Sequence, residues 1–595
     1  VSPAPALDEP PDLTAWPPRD GVSAAHGPAL LDWAADASAD RARLCLLRGA
    51  RGSGKSHLLT WFLLGPTDRP RTTPHATVPA AGLFTDAFAW ELGRQLGYGP
   101  LAPDRLLDRL TADQRPLLLL VPDLHLAGRG PADLLPAQPS TLVRELLLPL
   151  LRLPRTRAVV EVGDTDLLDA WPGAESIDVG AAPHAGYVPP AGARGTQDLT
   201  ALVPRSDDGR PRWDLAPASA REHALDQALL SPDTRRTVRE LLTDPGFLVH
   251  GSAVSVAACL ADERIPTPPG LRQVWRAAAP QLSDPRLGTV ERAALLHTAA
   301  LGASPALARY LLPLAEQHPF TAVWARPDAP RTALTPAPDG MGRLLAADPL
   351  GALAPLDPAT GADTAAVAAP RGVRPDGIAV RRDGSMLLLT DTGALQPVTS
   401  SPEGTAAVVL GHIAAHHGHL TLRHPELRPT ALGQCPVSGT TVLGDEQGGV
   451  HLWALDTYHP NPRSQLLHTA PVTAVACLTP PDDRDTLVMS AALDGTVRLW
   501  AASADPLPEP VEARPAFVTA MAAAHSTHGP VLAVAWDDAR VHLWHLRTGR
   551  VHALPLIARC RALALSPELH LTIAGPDGTY ALRLDGSRLW HQPSD

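Results

Sequence analysis

The chain has 595 residues, 45% of them hydrophobic, and a formal net charge of −11. That length suits three or four domains, each able to bury a core of its own. The acidic balance, without a Lys/Arg run or basic residues interleaved with aromatics, disfavours nucleic acid as the main partner. No apolar stretch reaches about 18 residues, so no membrane span is expected.

Cysteines occur only at 45, 259, 435, 477 and 560, without metal or redox spacing. They read as small buried apolar residues in a reducing cytoplasm. One asparagine, Asn461, and one lysine occur, against 65 prolines. Scarcity of residues with AT-rich codons points to a high-GC, actinomycete-like bacterial genome.

Residues 1–25 read as a loose leader, since they lack the charged start and apolar centre of a signal peptide. A helix is expected over 28–39, then an apolar strand over 43–48. Gly49-Ala50-Arg51-Gly52-Ser53-Gly54-Lys55-Ser56 follows at once and fits G-x-x-x-x-G-K-[ST]. A helix from Lys55 to about Leu64 completes strand, glycine turn and helix, the context a phosphate-binding P-loop requires. All other Lys/Arg positions are arginine. Lysine is the slim ammonium on a flexible stem that reaches between phosphate oxygens, where a planar guanidinium fits poorly. The backbone from Gly49 to His57 is therefore expected to cradle ATP or ADP. Lys55 would neutralise phosphate charge, and the Ser56 hydroxyl would ligate Mg2+.

Further strands are expected near 76–79, 115–121 and 157–162, with helices over 85–96, 103–110 and 140–153. The run Leu-Leu-Leu-Leu-Val at 117–121 has the unbroken apolarity of a central parallel strand. The alternation argues a doubly wound α/β domain over 26–200. Arg155, Arg157 and Asp164 flank the last of these strands. In a chain this rich in arginine, such residues read as solvated surface groups. Gly, Pro and Arg over 181–215 read as a linker. Residues 201–319 read as helical, with helices over 219–230, 234–242, 252–260, 289–300 and 304–317. Ser219-Ala-Arg-Glu222 fits a capping box.

After about residue 320 the period becomes alternating. Similar units end at Trp453, Trp500 and Trp544, which are 47 and 44 residues apart. That spacing is one four-stranded propeller blade. A weaker unit covers 570–583, and degenerate ones end near Leu356, Gln396 and Leu422. Six or seven blades would fill 320–595. The tryptophans read as packing residues.

The segment Val121-Pro122-Asp123-Leu124-His125-Leu126-Ala127, with the octet upstream, resembles the signal-transduction ATPases with numerous domains. Many of them carry Asp-Asp-Leu-His-Trp-Ala here. The resemblance implies that Pro122 replaces the aspartate that holds magnesium and that Asp123 matches the acid that polarises the attacking water. By its position alone, Asp123 also suits a turn or helix cap. His125 reads as a packed histidine. The strand ending Glu161-Val-Gly-Asp164 lacks the family's Thr/Ser-Arg, so no sensor arginine is carried over. The repeats, with Asp494-Gly-Thr-Val-Arg-Leu-Trp500, resemble WD-repeat proteins, in which turn aspartates (here Asp445, Asp494 and Asp577) brace a blade.

The resemblance implies a multidomain fold: an α/β P-loop NTPase, a helical lid or winged-helix-like segment and an all-β propeller. It also implies an ATP-binding cytoplasmic switch with slow or absent hydrolysis, protein partners on the propeller and a nucleotide-dependent homo-oligomer. The alternative is a non-catalytic scaffold that holds nucleotide for stability.

Overall fold

The computed structural model describes residues 16–38, 40–65, 72–128, 137–180, 198–337, 342–365, 367, 370, 372–399, 404–435, 438–454, 461–479 and 485–590. Residues 1–15 of the expected leader and 181–197 of the expected linker lie outside that set. The chain divides into two compact units, one reaching Pro268 and the other formed chiefly by residues 286–595.

In the first unit β1 (Leu44–Arg48), β2 (Ala76–Thr77), β3 (Leu117–Val121), β4 (Thr156–Gly163) and β5 (Glu175–Asp178) form a parallel sheet in the order β2-β3-β4-β1-β5. Around it lie α1 (Gly21–Ala35), α2 (Lys55–Leu63), α3 (Thr85–Gln95), α4 (Pro103–Ala112), α5 (Pro139–Leu142) and α6 (Leu148–Arg152). A π-helical turn at Val143–Leu147 joins the last two. Pro149 offers no N–H to the carbonyl of Glu145, and the helix widens just before it.

Strand alternation sorts the side chains into two cores. Leu44, Leu46, Leu117, Leu119, Val121, Ala158 and Val160 pack with Phe88, Leu106, Leu146 and Leu150 on one face. Cys45, Leu47, Leu118, Leu120 and Val159 pack with Leu30, Leu31, Leu58 and Phe62 on the other. With both faces covered, these strands read as continuous apolar runs.

Three local expectations change. α1 starts at Gly21, inside the segment read as leader, because Asp20 and Ser23 form a capping box there; Pro28 lies within the helix. The Ser219 capping box does not form. Extended Pro217 is the N-cap, so Ser219 falls inside the first turn. The edge strand β5, with a mostly exposed pattern, adds to the strands expected.

The middle segment is helical, but it is shared. α7 (Ala218–Leu230), α8 (Thr234–Thr243), α9 (Pro245–His250) and α10 (Ala253–Ala261) belong to the first unit, and α11 (Leu271–Leu282), α12 (Thr289–Leu301) and α13 (Pro305–Ala315) to the second. Among its described residues the only pairing is an isolated Arg205–Pro211 bridge, so no β-wing forms.

The second unit carries a six-bladed propeller. Its strands are β6 (Phe320–Arg326), β7 (Ala333–Pro336), β8 (Leu344–Ala347), β9 (Leu353–Leu356), β10 (Pro375–Val380), β11 (Met386–Thr390), β12 (Leu395–Val398), β13 (Pro429–Gln434), β14 (Thr441–Asp445), β15 (Gly449–Trp453), β16 (Arg463–Leu466), β17 (Val472–Leu478), β18 (Leu487–Ala492), β19 (Thr496–Ala501), β20 (Glu512–Ala513), β21 (Val518–Ser526), β22 (Gly529–Trp536), β23 (Arg540–His545), β24 (Arg550–Pro555), β25 (Ala562–Leu565), β26 (His570–Gly575) and β27 (Gly578–Leu584). The blades are β7–β9, β10–β12, β13–β16, β17–β20, β21–β24 and β25–β27 with β6. The first strands of successive blades adjoin in a closed ring, with β25 against β7. β6 pairs antiparallel with β27, so the last blade takes its outer strand from the start of the unit.

Leu422 ends no blade. It lies 83% exposed on α14 (Thr405–Arg423), a helix between the second and third blades. Leu410, Ile413 and His417 are its buried residues, a helical spacing that the alternating pattern on either side obscured.

Candidate functional site

The site is built where the parallel strands end. β1 connects toward β2 at one edge of the sheet, and its neighbour β4 connects toward β5 at the other. The crevice at the carboxyl ends between two such strands is the usual ligand position in an open α/β sheet.

The expected loop leaves β1 there and enters α2 at Lys55. Gly49, Gly52 and Gly54 take φ of 137°, 83° and 100°, which favour glycine. A Cβ on Gly49 would stand 2.7 Å from Ser53 Oγ and 2.8 Å from the Gly180 carbonyl. The loop is held from outside by Gly49 N donating to Gly163 O and Ala50 N to Gly180 O. The first turn of a helix has N–H groups without intrahelical acceptors and a favourable dipole for anions.

Lys55 is 5% exposed. Its Nζ donates to Gly49 O at 2.7 Å and Ala50 O at 2.9 Å, and lies 3.6 Å from Glu161 Oε1. Ser53 is buried and its Oγ has no hydrogen-bond partner. Arg51, Ser56 and His57 are exposed, and Ala50, Gly52 and Gly54 are half-buried. His57 pairs with Asp20 at 3.1 Å.

Glu161 is the site residue that the sequence did not single out. On β4, alternation turns Arg157, Val159 and Glu161 to the face carrying α1 and α2. Arg157 donates to the carbonyls of Trp33 and Ala34 at the end of α1 and stacks on Trp33 at 4.1 Å. It is thus a buried structural cap, correcting its reading as a surface arginine. Glu161 reaches the start of α2. Burial raises its pKa first, and the Asp123 charge adds to that; Lys55 opposes both. The available signal was one acid inside the apolar run Ala-Val-Val-Glu-Val, because a buried charge needs a partner. Asp164, the first residue after β4, is exposed.

Asp123 follows β3 in a left-handed conformation, φ 55°. It precedes a 3-10 turn at Leu124–Leu126 and makes no side-chain cap hydrogen bond. One ligand atom from each of Asp123, His125 and Glu161 lies within 4.8 Å of the other two. Burial lowers the His125 pKa, Lys55 lowers it further, and Asp123 opposes them. Pro122 contributes its carbonyl, which accepts from Ala80 N at 2.9 Å. Ser56, expected as a metal ligand, is not in this cluster.

In the propeller, Trp500 is fully buried and Trp453 is 3% exposed, while Trp544 is half-buried. Asp445 accepts from Gly449 N and Gln447 N and meets His451 Nε2 at 2.9 Å. Asp494 accepts from Thr496 N and Thr469 N and pairs with His468. Asp577 is more exposed than both; it accepts from Arg559 N at 3.4 Å and pairs with the Arg559 guanidinium.

No family model matches the chain, and no curated protein matches it. Among solved structures it is similar to the computationally designed Ika8 protein, at 17% identity over 45% of this chain and 74% of that one, TM-score 0.28. It is similar to U3-55K at 13% identity over 44% and 98%, TM-score 0.28. It is also similar to the Myceliophteria thermophila Cps50 (Swd1) β-propeller domain at 14% identity over 43% and 83%, TM-score 0.29.

Proposed function

We propose that the chain is a nucleotide-dependent regulatory protein. Residues 49–57 bind ATP or ADP, and the propeller binds a protein partner whose engagement depends on the nucleotide held. The observation that carries the reading is Lys55, the single lysine, buried at the strand ends on a glycine loop whose Gly49 leaves no space for a Cβ. Lysines are almost never buried without a partner. This one is held by two loop carbonyls and one edge of a carboxylate, contacts that phosphate oxygens can replace.

Ser56 would hold Mg2+, which would supply positive charge against the phosphates. Lys55 would move from the Gly49 and Ala50 carbonyls to the phosphate chain. Asp123 would orient water at the end of β3. The order of parts is similar to that of signal-transduction ATPases with numerous domains, in which nucleotide exchange drives assembly. Switching of that kind requires ATP to favour one arrangement over the other by its own differential affinity.

The scaffold reading rests on one observation, Pro122. The chain has no carboxylate at the position next to Asp123 where those ATPases hold magnesium. Both readings therefore expect slow turnover, and they part over whether nucleotide exchange changes anything else. Calorimetric titration of the full chain with Mg2+-ATP and Mg2+-ADP tests the binding. Light scattering before and after exchange tests the switch. Failure to bind either nucleotide defeats both readings, and binding without any change of mass or partner capture leaves the scaffold.

A further inference from the structure

We infer that Asp123, His125 and Glu161 form a site for a divalent transition-metal ion that does not require nucleotide. Their ligand atoms converge within 4.8 Å of one another. Ligands around a bound ion stand about 3–4 Å apart, given metal–ligand lengths of about 2.0–2.2 Å. Closing the site takes a movement of roughly 1 Å by side chains of which two are half-exposed.

Two buried atoms point to an ion rather than to a chance cluster. Glu161 is 3% exposed, and its Oε2 has no hydrogen-bond partner. Lys55 approaches only the other oxygen. His125 Nδ1 is also buried without a partner. Gly163, at φ +62°, packs so closely that a Cβ there would stand 3.0 Å from the imidazole. That close packing limits how the ring can turn, and a metal-binding histidine needs a fixed ring orientation.

The donor set selects the ion. Mg2+ prefers oxygen ligands and gives up water reluctantly. One imidazole with two carboxylates suits Mn2+, Fe2+, Co2+ or Zn2+. A magnesium ion carried in by nucleotide on Ser56 would be a separate ion, so the metal site stands or falls apart from the nucleotide reading.

The test is a titration of the full chain with Mn2+, without nucleotide and with millimolar Mg2+ present. Binding is read from the loss of the free-ion paramagnetic resonance signal. About one Mn2+ should bind per chain. His125→Gln and Glu161→Gln should each weaken it about tenfold or more. Asp123→Asn, at a half-exposed position, carries the test if thermal unfolding shows that Glu161→Gln is not folded. His412→Ala with His416→Ala should change nothing, although those two rings lie one helical turn apart on α14. Absence of stoichiometric Mn2+ binding, or binding indifferent to substitution at 123, 125 and 161, overturns the assignment.

Discussion

The strand ends of the α/β sheet and two turns of the propeller, those at Asp445 and Asp494, both bury polar groups, and they treat them in opposite ways. Asp445 is 1% exposed, and its oxygens are taken by Gly449 N, Gln447 N and His451, whose other nitrogen meets Ser464 Oγ at 2.8 Å. His468 is likewise shared among Asp494, Ser490 and Thr496. Such saturated networks fix a turn in one geometry. Beside the glycine loop, Ser53 Oγ, Glu161 Oε2 and His125 Nδ1 have no partner. A buried polar atom left unpaired costs about 1–3 kcal/mol. Other parts of the propeller leave such atoms too, among them Trp536 Nε1, Asp538 Oδ1 and His417 Nδ1, so the contrast is between the loop and the turns at Asp445 and Asp494.

The hardest test of this contrast strikes the saturated region. Trp500→Ala should destabilise the propeller by about 3–5 kcal/mol, the usual cost of emptying a buried aromatic site. Urea unfolding followed blade by blade through the other tryptophans would show it, and nucleotide affinity should not move. A change at both places would mean that the two regions are not separate in energy. Striking the unsaturated region should do the reverse. Lys55→Ala is expected to lower ATP affinity about 100-fold, or about 2.7 kcal/mol, with the propeller's unfolding midpoint unaltered. Calorimetry that returned unchanged affinity would remove the phosphate role of the loop.

Acid sharpens the comparison from the propeller side. Burial, with His451 and His416 nearby, pushes the His417 pKa down to about 3, against the pull of Asp445. The unfolded chain takes up that proton near pH 6.5, so below it the unfolded state binds more protons. Stability from this residue is therefore full above about pH 6.5 and declines toward pH 3, by about 2 kcal/mol at pH 5. His417→Gln retains an acceptor for Trp453 Nε1, which donates to His417 at 3.2 Å, and should remove that share of the slope. An unaltered slope in urea midpoints between pH 7.5 and 5 would show that His417 is not the group responsible. The smallest expected effect is at Pro122. Pro122→Asp should raise ATP hydrolysis about tenfold, or about 1.4 kcal/mol in the barrier. Steady-state phosphate release measures it. Brisk turnover by the unsubstituted chain would show that another acid already serves.

How much of this was legible in the sequence follows from what each pattern encodes. The apolar runs of β1, β3 and β4 announced a covered parallel sheet, and the tryptophan spacing announced blades. The blade count stayed open at six or seven because the first two blades lack the terminal tryptophan and α14 interrupts the period. At the site, the glycines and Lys55 stood out because their spacing is local. Glu161 did not, because it meets Lys55 across the sheet through the register Leu47–Glu161. His125 reads as a packing residue in the sequence, since its exposure and neighbours depend on Gly163 and β4. Arg157 reads as a surface group for the same reason: nothing in sequence places it beneath the last carbonyls of α1. Contacts between strands and helices far apart in the chain were the part that composition and period could not supply.

The pairing of β6 with β27 also has a consequence in time. A ribosome adding about 5–20 residues per second would finish β6 some 10–50 s before its partner, roughly 250 residues on, leaves the tunnel. For that interval β6, carrying Phe320 and Trp324, is an edge with open N–H and C=O groups, the sort of template that invites strands from other chains. α12, made just before it, packs against β6 and can cover a face early, but not its hydrogen-bonding edge. Slow or crowded synthesis should therefore trap this protein as intermolecular strand pairs. Coexpression of residues 562–584 as a separate peptide, offering β25–β27 in advance, would raise the soluble yield if that edge is the weak point.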